Sequence, residues 1–179
     1  MKRIVALLAL GALAPIIQGA AGTFIPMHYC PDIGLLLVVG LGLSWRSTAG
    51  GVALAAALGL IADLLSGSLL GQQMLLRIFA FGAARGCSQQ LNLRGALPRA
   101  VFVVALTVVC ALGTGVLTAF FAAGPGVDTE MLKELVPHAL MNGAFAPLGV
   151  YLVERTSSWF GDVEVGQPLL SLRPRNRFS

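Results

Sequence analysis

Two charged residues stand inside otherwise apolar stretches of this 179-residue sequence, Asp63 and Arg77. A charge in hydrocarbon is costly, so such residues mark an ion pair, a polar pathway or a binding site. Asp63 lies three residues before the turn Ser66-Gly67-Ser68, and Arg77 lies nine residues after Ser68, in the stretch that returns. On antiparallel neighbours the difference in depth is one that a long arginine side chain spans. A structural Asp63–Arg77 ion pair is therefore expected ahead of a substrate or proton site. The other candidates for chemistry are weaker. His28, Cys30 and Asp32 are metal-ligand types, but Pro31 interrupts them and no second cluster accompanies them, so no metal is expected. Cys30, Cys87 and Cys110 are widely spaced and imply no disulfide framework. With no HExxH, GxSxG, P-loop or dinucleotide signature, the chain reads as non-enzymatic and without a cofactor.

The elements that must position these residues follow from composition. Hydrophobic residues make up 56% of the chain and charged residues only 11%, against roughly 25% charged in soluble domains. Mean hydropathy is +0.83. An ordinary soluble globule is excluded, and the expected fold is an all-α, polytopic membrane bundle. Apolar stretches fall at 4–24, 32–45, 48–65, 69–86, 97–122 and 135–153, which predicts six transmembrane helices. The second is the short one, with about 14 residues rising only about 21 Å. Lys2-Arg3, an apolar run and Gly19-Ala20-Ala21 imitate a signal peptide. The run continues through Phe24 and Ile25, however, and reads as the first membrane helix.

The net charge of +4 is a topology signal rather than a sign of nucleic acid. Six crossings with the N-terminus inside place Lys2, Arg3, Arg46, Arg85, Arg94, Arg99, Arg155, Arg173, Arg175 and Arg177 on the cytoplasmic side. Those are ten of the twelve Lys and Arg. Lys133 is outside and Arg77 within the membrane. Both termini are then cytoplasmic, with one transmembrane domain over 1–155 and a tail over 156–179. The outer loops, 25–31, 66–68 and 123–134 with the flanking Asp32, carry Asp128, Glu130 and Glu134 but almost no positive charge. The basic end of the tail either meets anionic lipid, at roughly 1 kcal/mol per charge, or is simply solvated.

Helix faces refine the picture. Gly51, Ala55, Gly59 and Asp63 share one face, where backbones can approach closely. Gln73 and Arg77 share an inward face of the next helix, while Gly71, Gly82 and Gly86 lie roughly opposite and suit a partner helix. Pro15 and Pro147 are expected to kink their helices by freeing the carbonyls of Gly11 and Gly143. In the last helix His138, Asn142 and Ala146 align, and Asn142 with Gly143 forms a second candidate docking surface.

These residues resemble the MreD family, the membrane subunit of the bacterial rod-shape, or elongation, machinery. The resemblance begins at Cys30-Pro31-Asp32, where the family carries a Pro followed by a polar residue. It continues through Gly59 to Gly71, where Asp63, Gly67 and Gly71 look like the family's D-x-x-x-G-x-x-x-G hairpin. It ends with Met141-Asn142-Gly143, Pro147 and Arg155. Most of the chain is covered, with the central hairpin as the specific part; the first and fifth helices match in hydrophobicity alone. The resemblance implies a bacterial inner-membrane scaffold that binds MreC and so links MreB filaments, indirectly, to RodA and a class B penicillin-binding transpeptidase. A homo-oligomer is expected only through that complex. It also implies a fold similar to the substrate-capturing subunits of energy-coupling-factor vitamin transporters. A small-molecule binding subunit of a transporter is thus the alternative. Such a pocket needs convergent polar or aromatic side chains near the outer face, for which His28, Tyr29 and His138 are the few candidates.

Overall fold

The computed structural model describes residues 2–24, 26, 29–45, 47–67, 69–90, 95–122 and 127–159. His28, Arg46, Ser68, Arg94 and the tail from residue 160 onward, including Arg173, Arg175 and Arg177, lie outside the described residues. The described chain is all helical: α1 (Lys2–Ala21), α2 (Ile33–Ser44), α3 (Thr48–Ser66), α4 (Gln72–Gln90), α5 (Ala96–Ala122), α6 (Thr129–Ala144) and α7 (Ala146–Trp159). Short polar residues start several of them. Asp32 accepts from the Leu35 N–H, Ser47 from Gly50 and Asp128 from Met131, so each supplies a partner for an orphan first-turn donor.

The sixth apolar stretch resolves into two helices, α6 and α7, bent by 44° at Phe145. Pro147 does not kink a helix from within. It is the second residue of α7, close to the helix start where a missing N–H is tolerated. Helix α6 begins at Thr129, so part of the expected outer loop 123–134 is helical. Helix α7 runs to Trp159, past the expected start of the tail at 156. Pro15 lies within α1, which is continuous across it.

The short helix α2 is the axis of the bundle. Residues Gly34 to Gly42 are all buried, and α1, α3, α4 and α7 pack around them. Close approach relies on missing side chains. A Cβ at Gly40 would lie 2.6 Å from the Gly149 carbonyl oxygen of α7, and one at Gly42 would lie 2.6 Å from the Ala84 Cβ of α4. On α3, Gly51 is covered by the Phe81 ring and Gly59 by the α4 backbone at Met74. The small-residue face of α3 is thus its contact with α4.

Outside this core the surface is also apolar: Val5, Ile16, Leu64, Val101, Val116 and Phe120 are all more than half exposed. A water-facing monomer rarely exposes so much apolar area, whereas a bilayer covers it. By length and composition α1, α3 and α5 can each cross a membrane, and the bent pair α6–α7 makes a fourth span if it crosses as one. Helix α2, with 12 residues, rises only about 18 Å.

Candidate functional site

The hairpin between α3 and α4 shows what its pattern of residues does. Helix α3 ends in a left-handed Gly67, φ 64°, and the turn closes through Gly71, φ 92°. These are backbone conformations that glycine adopts without strain. The residue before α4 therefore has no side chain with which to cap it. Asp63 supplies the cap from α3. Its Oδ2 accepts from the Gly71 N–H at 2.9 Å and the Met74 N–H at 3.2 Å, and its Oδ1 accepts from Gln73 at 2.8 Å. The carboxylate is 1% exposed and faces the positive end of the α4 dipole. Gln72, the first residue of α4, reaches α5 through the Thr114 carbonyl and the Thr118 hydroxyl.

The expected Asp63–Arg77 pair does not form. Arg77 Nη2 donates instead to both oxygens of Asp32, at 3.0 and 3.1 Å. The reason lies in the faces of α4. Its backbone at Gln73 and Met74 lies against Gly59 on α3, whereas the Arg77 and Ala84 side chains meet α2, where Gly34 leaves room for the guanidinium and Gly42 for the Ala84 methyl. Asp32 thus caps α2 and neutralises Arg77 with one carboxylate. In the sequence it flanks the outer loop 25–31, at the start of the second apolar stretch. The signal available was its position directly before an apolar helix, where Asp is a favoured N-cap.

Asn142 holds the same corner from α6. It is fully buried, its Oδ1 accepts from the Asp32 N–H at 2.6 Å, and its Nδ2 donates to the Thr107 hydroxyl of α5 at 3.2 Å. The remaining amide proton faces His138 Nε2 at 3.3 Å. That arrangement assigns Nε2 as an acceptor and the ring proton to Nδ1. Gly143 packs against α5 at Ala100 and Val104. Neither Asn142 nor Gly143 is a free surface, which removes them as a docking site for a partner helix.

Between α2, α4, α5 and α6 a cleft of about 210 Å³ remains, lined by Asp32, Gln73, Arg77, Thr107, Cys110 and His138 with apolar Leu35, Leu76 and Met131. Apart from His28, Tyr29 and His138 the sequence offers few convergent polar groups near the outer face, yet four helices bring these together. No family model, curated protein or solved structure matches the chain.

Of the glycines assigned to partner packing, Gly82 and Gly86 are exposed on α4, and a Cβ at either meets nothing within 4 Å. Gly71 belongs to the turn, not to that helical stripe. At the opposite end of the bundle Arg3 stacks over the Trp45 ring at 3.9 Å, and Arg85 donates to the Trp45 carbonyl. Among the described residues no group of three His, Cys, Asp or Glu could hold a metal ion.

Proposed function

We propose that this chain is a non-catalytic, multi-pass scaffold of the bacterial inner membrane that serves the rod-shape machinery in the manner of the MreD family and binds MreC. The observation that carries this reading is the hairpin. Asp63, Gly67 and Gly71, on which the resemblance rests, each have a separate backbone role in one turn. A chance D-x-x-x-G-x-x-x-G in a glycine-rich chain need not place a buried carboxylate and two positive-φ glycines so. The exposed Gly82 and Gly86 supply a face on which a single-helix partner could pack closely.

Six crossings with both termini cytoplasmic remain the proposed topology. The end of α1 meets the start of α2 through Gln18 and Pro31, and the start of α1 meets the end of α2 through Arg3 and Trp45. The helices thus alternate between two ends, and the basic cluster Arg3 and Arg85 lies at the end proposed as cytoplasmic. In this arrangement α2 crosses inside a sheath of other helices, which is why its short length is tolerated there.

The cleft favours a second reading, a small-molecule binding subunit of a transporter. Purification of the full chain from its native cells in mild detergent, with identification of co-purifying proteins, separates the two. Recovery of MreC supports the scaffold. An energising transmembrane subunit with ATPases in its place overturns it.

A further inference from the structure

The cleft holds hydrogen-bonding capacity that the fold leaves unused. Arg77 is 6% exposed, yet its bonds to Asp32 run through Nη2 alone, and Nη1 is buried without a partner. A buried N–H with no acceptor is costly to keep. Beside it, the Gln73 side-chain amide has no hydrogen-bond partner among the described residues, and His138 is engaged only through Nε2. The Gln73 amide and His138 therefore line the cleft together with the apolar Leu35, Leu76 and Met131.

Charge narrows the chemistry. The Arg77 guanidinium is neutralised by Asp32 at 3.0 Å, and that carboxylate lines the same cleft. An entering anion would find the guanidinium's charge already compensated and a carboxylate beside it. An uncharged hydroxyl avoids that carboxylate's repulsion and can bond the Gln73 amide as donor and acceptor. The volume, about 210 Å³, equals about seven waters at roughly 30 Å³ each. That is room for a polyol and too little for most drug-sized ligands.

We propose that this cleft binds an uncharged, hydroxyl-bearing group of glycerol to monosaccharide size, presented either as a glycolipid headgroup or as a free sugar. Binding there does not depend on whether the chain docks MreC, and the test involves no partner protein.

The full chain is placed in phosphatidylcholine nanodiscs and its thermal midpoint measured with three probes: monoglucosyl diacylglycerol in the disc, glucose in solution, and phosphatidylglycerol in the disc. A rise of about 3 °C or more with either glucose-bearing probe supports the site. The glycolipid acting alone names a headgroup as the source, and glucose acting alone names a free ligand. Gln73→Leu removes the unused amide, and Ala111→Phe fills the cleft from α5. Each should abolish the rise, and the second stands if the first does not fold. A rise that survives in the folded variants, a response to phosphatidylglycerol alone, or no rise with any probe would overturn the proposal.

Discussion

Asp63 bears more of the local structure than its charge alone suggests, because its two oxygens close a turn and cap a helix from another element. Asp63→Asn keeps the shape but turns one acceptor into a donor facing backbone N–H groups. It should lower stability by about 1–3 kcal/mol, read as a lower thermal midpoint in detergent. A midpoint equal to the parent's would show that the cap is not carried by that carboxylate. Asp32 and Arg77 call for a double-mutant cycle. Breaking a fully buried pair costs about 3–5 kcal/mol, and the 27% exposure of the Asp32 side chain puts the expected loss below that. Arg77→Met and Asp32→Asn should each destabilise, and the double variant should be less damaged than their sum. Strict additivity would mean that the two side chains do not interact. That Arg77 would be buried was legible, since a charge among apolar residues must be accommodated. Its partner was not. Asp63 looked closer along the chain, but the rotation of α4 turns Arg77 toward α2, and neither helix carries a local pattern that reports that rotation.

At the scale of elements, glycines divide into those that let helices touch and those that face outward. Gly149 lies against the Leu36 carbonyl of α2, and Gly40 against α7. Gly149→Leu should therefore force α2 and α7 apart, at an overpacking cost of about 1–3 kcal/mol, visible as reduced yield of monodisperse protein. Gly82→Leu and Gly86→Leu meet open space. They should fold normally and weaken co-purification of MreC by holding the partner backbone away. Retention of MreC by both variants would place docking elsewhere, and poor folding of either would mean that the face is not free. Most helix positions were foreseen from apolar runs. The break at Phe145 was missed because apolar residues continue on both sides of it. Inward and lipid-facing sides are both apolar, so hydrophobic periodicity, the usual guide to a buried face, carries little information here. The centrality of α2 was hidden for the same reason: it is apolar all round and short, which reads equally as a weak span or as a core.

The whole molecule has two polar ends joined by apolar helices. One end holds the Asp63 cap and the Asp32–Arg77 corner, and the other holds Arg3 and Arg85 around Trp45. The proposed topology sets the second end toward the cytoplasm on the distribution of Lys and Arg, and orientation can be tested without any knowledge of partners. In a background with Cys30, Cys87 and Cys110 replaced by Ala, a single cysteine at Thr129, exposed at the start of α6, should react with a membrane-impermeant maleimide in intact cells. A single cysteine at Trp159, exposed at the end of α7, should react only after the membrane is permeabilised. The pair is chosen because α6 and α7 are bent at Phe145 and could return to the side they came from. Labelling of both sites in intact cells would make the α6–α7 pair re-entrant, leave the C-terminal end of α7 outside and overturn the six-crossing arrangement. Protection of residue 159 with reaction at residue 129 would make the bent pair a single span, crossing between the two polar ends.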